Sequence, residues 1–208
     1  GYPVGKVNEL QLHPLNFIEF LEATGNDILA KTIKEGEPQV LNSLSNKIEA
    51  LLKNYYFVGG MPEAVNAFAE AGSFNEVREI QLEIMNGYKR DMSKHLEGKD
   101  LEYTIDAFES IPRHLGRENK RFIFSHIKES GRARDYHAAI TRLEEAGIAL
   151  RVPRVSKPAV PLSAYSDRSI FKLYLLDVGL LCAMVGLDSK TIIEGSKIFT
   201  ELKGSLTE

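Results

Sequence analysis

The sequence predicts a mainly α-helical fold that carries one small antiparallel β-hairpin. In the first half of the chain, apolar residues recur at helical spacing in successive segments that glycine or proline separates. Two β-prone runs occur in the second half, on either side of a loop rich in proline and serine. The chain has 208 residues, of which 43% are hydrophobic, enough for one large or two small domains.

Capping and stop signals bound the helices of the first half. Asn16 can cap the first helix, Pro62 suits the first position of a later one, and Gly72 ends that helix. Residues 7–12 precede them and alternate apolar and polar side chains as a strand does. Helices are predicted over about 17–24, 38–53, 62–71, 75–95 and 101–115.

The pattern changes after residue 115. The predicted elements are a short helix near residues 122–127, a helix over 133–146, strands over 148–155 and 171–176, and helices over about 177–186 and 188–194. Helix, short helix, helix and two strands joined by a loop is the order of a winged helix-turn-helix. The sequence therefore predicts a helical bundle followed by a winged-helix-like domain, with an unrelated α+β domain as the alternative.

Basic residues are concentrated where a winged helix would present its recognition helix and wing. Ten basic and five acidic residues lie between Arg117 and Lys157, in a chain whose net charge is −3. Lysine and arginine contact phosphates, so this region is a candidate surface for double-stranded DNA. The candidate DNA-binding residues are Lys128, Arg132, Arg134, Arg151 and Arg154. A solvated face or a protein-binding surface is the alternative interpretation.

Cysteine content and hydropathy predict a cytoplasmic protein without a membrane span. Cys182 is the single cysteine, which excludes an internal disulfide and is typical of a reducing compartment. The first residues lack the apolar core of a signal peptide. The most apolar stretch, residues 173–187, is interrupted by Asp177 and is shorter than the ~20 residues that a membrane span needs.

Several segments, in order along the chain, resemble a family of prokaryotic AAA-type ATPases with a C-terminal domain of unknown function. The most specific is Phe-Lys-Leu-Tyr-Leu-Leu-Asp-Val-Gly-Leu-Leu at residues 171–181. Others are Val-Gly-Gly-Met-Pro-Glu-Ala-Val at 58–65, Tyr-Lys-Arg-Asp-Met-Ser-Lys-His at 88–95 and Leu-His-Pro-Leu-Asn-Phe-Ile-Glu-Phe-Leu at 12–21. The resemblance implies that residues 1–14 end an ATPase core, 15–98 form a helical lid-like region, 99–194 form the winged-helix-like domain, and 195–208 begin a truncated C-terminal region.

The same resemblance implies that the full-length protein is an ATPase that uses ATP and magnesium, and that this chain is a non-catalytic fragment of it. Gly5-Lys6 is no phosphate-binding loop, because Val7 stands where the magnesium-binding hydroxyl should be. The fragment would couple the ATP state of the missing ATPase core to DNA or to a protein partner. A purely structural or protein-interaction domain is the alternative.

A glycine-rich turn is the candidate contact for the nucleotide. Two glycines allow close approach of a ligand to the backbone, and the following proline fixes the start of a helix. The resemblance assigns contact with the adenine to this turn, and the candidate residues are Gly59, Gly60 and Pro62. A plain helix-entry turn is the alternative. Asp91 and His95 are spaced to lie on one helical face, but no third metal ligand accompanies them, so no metal site is predicted. No catalytic set of residues is predicted either.

Overall fold

The computed structural model describes residues 10–117, 119–129, 131–194, 204, 206 and 207. They form a mainly α-helical fold with a two-stranded antiparallel sheet, as the sequence predicts. The elements are α1 (Phe17–Ala23), α2 (Asp27–Glu35), α3 (Pro38–Val58), α4 (Pro62–Ala71), α5 (Phe74–His95), α6 (Gly98–Leu115), α7 (Ala133–Glu145), β1 (Ala149–Val155), β2 (Ser166–Leu175), α8 (Val178–Met184) and α9 (Ser189–Ile193). Short 3-10 turns occur at Phe124–His126 and Leu162–Tyr165.

The capping signals act as predicted. The side chain of Asn16 accepts hydrogen bonds from the backbone N–H groups of Ile18 and Glu19. The side-chain carboxylate of Glu19 in turn accepts a hydrogen bond from the backbone N–H of Asn16. This reciprocal pair satisfies N–H groups that would otherwise be free at the start of α1. Pro62 occupies the first turn of α4, and Gly72 ends that helix in the left-handed conformation with φ of 63°.

The sequence analysis missed one helix of the N-terminal region, and its predicted strand there was wrong. After α1 ends, the chain forms α2 from Asp27 and buries Leu29 and Ala30. Residues 10–12 of the predicted strand lie in irregular chain, and Leu10 and Leu12 are exposed. The one sheet of the described residues consists of β1 and β2, so residues 10–12 have no neighbouring strand to pair with. Residues 7–9 lie outside the described part of the chain.

The hairpin has one buried and one exposed face. Strand β1 pairs with β2 from Ala149↔Leu175 to Pro153↔Phe171, and an irregularity follows between Pro153 and Arg154. Successive side chains alternate between faces, so the inner face is buried against the helices. The opposite side, called the outer face below, consists of Leu150, Val152, Arg154, Ile170, Lys172 and Tyr174.

Two apolar cores hold the fold together, and α8 belongs to both. The first core joins α5, α6, α7 and the inner face of the hairpin, and it includes Leu180 and Leu181 of α8. The second core joins α1 to α5, and it includes Cys182 of α8 and Ile192 of α9. The predicted boundary at residue 98 coincides with the break between α5 and α6, but α8 and α9 pack back across it onto α3.

A buried histidine fixes the segment that leads into α7. Both ring nitrogens of His114 face carbonyl oxygens, Nδ1 that of Ser110 at 2.8 Å and Nε2 that of Ile123 at 2.9 Å. Its ring stacks on Phe122 with a centroid separation of 4.1 Å. His114 therefore connects the end of α6 to the short turn that positions α7.

Replacing His114 with Phe should keep the stacking and remove the ring nitrogens that lie next to the two carbonyl oxygens. We expect the free energy of unfolding to fall by about 1–2 kcal/mol, because the hydrogen bond from the ring N–H to a carbonyl is lost, while the Ile123 carbonyl keeps the bond from the His126 N–H. Urea titration followed by circular dichroism would measure the change. The same substitution at exposed His137 should shift stability by no more than about 0.5 kcal/mol. Equal effects at the two positions would contradict this role for His114.

Candidate functional site

A groove opens between α7 and the hairpin, and we call it the wing groove. Ala133 and His137 of α7 form one wall, Arg168 and Ser169 of β2 form the other, and the cavity measures about 320 Å³. Arg132 and Arg134 flank Ala133 at the N-terminal end of α7, and both are exposed. The groove thus lies between the predicted recognition helix and the strand that follows the wing.

The predicted DNA-binding residues differ in how free their charges are. The side chain of Arg134 is 74% exposed, and its contact with Asp135 is long, at 3.5 Å. Lys128 pairs with Glu102 at 3.0 Å, and this hydrogen bond raises the pKa of Lys128. Arg154 pairs with Asp167 at 3.1 Å. Arg132 is exposed, and no ion pair involves it within the described residues.

Arg151 is mostly buried and contacts other parts of the chain. Its side chain is only 13% exposed, pairs with Glu144 of α7 and lies over the ring of Phe171 at 5.1 Å. A guanidinium held by a carboxylate and an aromatic face tethers α7 to the hairpin. Arg151 therefore shapes the wing groove, and its charge is largely neutralised there.

Arg168 is a site residue that the sequence analysis missed. It is exposed on β2 and lines the wing groove, opposite His137. The polar segment before residue 171 has no strand periodicity, so the sequence predicted the strand five residues too short. Arg168 carries a positive charge and follows the basic residues Arg151, Arg154 and Lys157 in the sequence, which is the signal that could have identified it.

The glycine-rich turn is closed by other parts of the chain. A Cβ built on Gly60 would lie 2.0 Å from the carbonyl oxygen of Leu15, and one built on Gly59 would lie 2.3 Å from Oδ1 of Asp177. The N–H of Gly60 donates to Oδ2 of Asp177 at 2.6 Å, and its carbonyl accepts from the N–H of Leu15 at 2.7 Å. These contacts explain why two glycines are required here, without any ligand. Pro62 lies at the start of α4 and is exposed.

Residues 49–191, from the middle of α3 into α9, match a family described as a Domain of unknown function (DUF8612). The chain belongs to this family. No match was found among curated proteins or among solved structures. The matched residues of the DUF8612 domain include the wing groove, the glycine-rich turn and Asp177.

Asp177 is the most deeply buried carboxylate of the described part of this DUF8612 domain. It caps α8 by accepting from the N–H of Leu180 at 2.9 Å and reaches across to Gly60. Burial raises the pKa of Asp177, and hydrogen bonds from backbone N–H groups oppose that rise. Gly179, in the first turn of α8, allows the helix to lie against the backbone of Val58, because a Cβ there would be 2.5 Å from the Val58 carbonyl oxygen.

The described side chains of the DUF8612 domain form no group of three histidine, cysteine, aspartate or glutamate residues that could hold a metal ion. Asp91 and His95 do meet at 3.5 Å, but both are exposed and remain a surface pair. None of the described helices is both long enough and apolar enough to cross a membrane.

Proposed function

We propose that this DUF8612 domain contacts the backbone of double-stranded DNA with the N-terminal end of α7 and the wing. The supporting observation is the wing groove, which Arg168 lines on the hairpin side, while exposed Arg132 and Arg134 flank the lining residue Ala133 on α7. Three guanidinium groups at the start of a recognition helix and on its hairpin suit phosphate oxygens. Asp135 and Glu145 on α7 oppose a deep approach, so we expect weak binding without sequence preference.

The resemblance of the sequence to AAA-type ATPases supports a wider role. We infer that the whole protein binds ATP and magnesium in a core outside this chain, and that the present domain transmits the state of that core to DNA. The closed Gly59–Gly60 turn favours a structural role for these glycines in the conformation seen here, so nucleotide contact at the turn would require Leu15 or Asp177 to move. Buried Cys182 supports a cytoplasmic location.

DNA binding should depend on the two arginines of α7. In a low-salt fluorescence-anisotropy titration with a labelled 20-base-pair duplex, the chain should bind with a Kd of about 10⁻⁴–10⁻⁶ M and release the duplex as salt rises. The double variant Arg132→Ala/Arg134→Ala should weaken binding to every sequence alike and reduce the salt slope by up to about two contacts. Arg168→Ala should weaken it further.

The matched control removes the same charge elsewhere. Lys31 and Lys47 are exposed on α2 and α3, so Lys31→Ala/Lys47→Ala lowers the net charge equally while leaving the wing groove intact. If both double variants bind equally, or if the unchanged chain does not bind at all, the DNA proposal is wrong. The alternative, a domain that binds only protein, would then be preferred.

A further inference from the structure

The outer face of the hairpin carries aliphatic side chains that are about half exposed. Leu150 is 56% exposed and Val152 is 50% exposed, and they stand opposite Tyr174 and Lys172 on β2. An antiparallel sheet with one face in water normally places polar side chains on that face. Adjacent exposed aliphatic residues on a sheet are typical of an interaction surface.

Two neighbouring hollows lie along this face. The larger, about 590 Å³, is lined by apolar and aromatic side chains and by three cations, which are Val152, Ile170, Phe171, Tyr174, Arg121, Arg154 and Lys172. The smaller, about 250 Å³, shares Val152 and Tyr174 with it, continues past Leu150, and is also lined by Asp177 and by Leu206 of the same chain.

The charges around the larger hollow have one sign. Arg121, Arg154 and Lys172 border it, and none of its described lining residues is acidic. Arg154 also pairs with Asp167, yet its side chain remains more than half exposed. A hollow lined by apolar side chains and by cations is complementary to aliphatic side chains flanked by carboxylates.

We propose that the outer face docks an acidic protein segment that carries aliphatic side chains. A polynucleotide would satisfy the cations but would leave Leu150 and Val152 against phosphates and sugars, and Tyr174 is the one aromatic ring on the outer face that could stack with a base. A peptide supplies both the carboxylates and the aliphatic carbon. The proposal does not depend on DNA binding, because the wing groove lies on the inner side of the hairpin.

Peptide display on the whole chain tests this surface. A random 16-residue peptide library would be selected on the unchanged protein and counter-selected on Val152→Glu. Enriched peptides should contain acidic residues next to leucine, isoleucine or valine. In anisotropy titrations, Val152→Glu and Leu150→Glu should each raise their Kd at least tenfold, and Arg121→Glu should weaken the most acidic peptides most.

Ile28→Glu is the matched control, because Ile28 is 85% exposed on α2, away from the hairpin. It should leave the Kd of the enriched peptides unchanged. Two variants on the outer face, each checked by thermal unfolding, separate a lost surface from a lost fold. The proposal fails if no peptide is enriched, if enriched peptides bind Val152→Glu as tightly as the unchanged chain, or if Arg132→Ala/Arg134→Ala abolishes their binding instead.

Discussion

Gly60→Ala should lower the free energy of unfolding by about 3 kcal/mol or more. This is the largest effect that we expect from adding a single methyl group. The new Cβ would lie 2.0 Å from the carbonyl oxygen of Leu15 and 2.6 Å from its nitrogen. Backbone atoms cannot rotate away as a flexible side chain can, so α1 would have to separate from the turn. That movement would also stretch the hydrogen bond from the Leu15 N–H to the Gly60 carbonyl. Chemical denaturation of both proteins gives the difference in unfolding free energy.

Gly87→Ala provides the matched control for the extra methyl group. Gly87 lies inside α5, and the nearest atom to its added Cβ is Nη2 of Arg90 at 3.9 Å. Alanine favours helix over glycine, so this variant should be more stable by about 0.5–1 kcal/mol. A Gly60→Ala protein as stable as the unchanged chain would show that α1 and the turn are not held together as described.

Asp177→Ala should cost about 3 kcal/mol, because it removes the acceptor shared by two distant parts of the chain. The N–H groups of Gly60 and Leu180 would lose their partner in a buried place, and each such group costs about 1–3 kcal/mol. Asp188→Ala is the comparison, since Asp188 caps α9 in the same way but is exposed. There the loss should be about 1 kcal/mol. Similar losses at the two caps would rule out a special role for the buried carboxylate.

Asp177 also gives stability a pH dependence that Asp177→Asn removes. Burial raises the pKa of Asp177 in the folded chain, so the folded state retains its proton at pH values where the unfolded state has released it. The stabilisation associated with that proton is complete below the unfolded pKa of about 3.9 and is lost as pH rises through the folded pKa. The free energy of unfolding of the unchanged chain minus that of Asp177→Asn should therefore decrease with rising pH. An increase of this quantity with pH would contradict the direction of the shift.

Local signals predicted most helices because each depends on residues close in the sequence. Asn16 and Pro62 mark helix starts through contacts within one turn, and the structure confirms both. The sequence analysis missed α2, because Asn26 and Asp27 can both end one helix and begin another. Strand β2 was predicted too short, since Arg168 and Ser169 have no alternation and lie in the irregular stretch between Asp167 and Phe171, which do pair with β1.

The candidate site depends on contacts that no local pattern contains. The basic cluster was visible in the sequence, but the partners that neutralise Lys128 and Arg151 come from α6 and α7 and became apparent only in three dimensions. Gly60 was identified as a close-approach position for a nucleotide. The atoms that approach it belong to Leu15 and Asp177, and Asp177 is 117 residues away. Spacing indicated the need for a glycine, whereas only the fold identifies its neighbour.

The position of α8 in both cores has a consequence for synthesis. The core built by α1 to α5 stays incomplete until Cys182, Leu187 and Ile192 are added from α8 and the residues that follow it. On the ribosome, those early helices therefore expose apolar surface while α6, α7 and the hairpin are made. We expect the nascent chain to be more prone to aggregation during that interval than after residue 192 has been added.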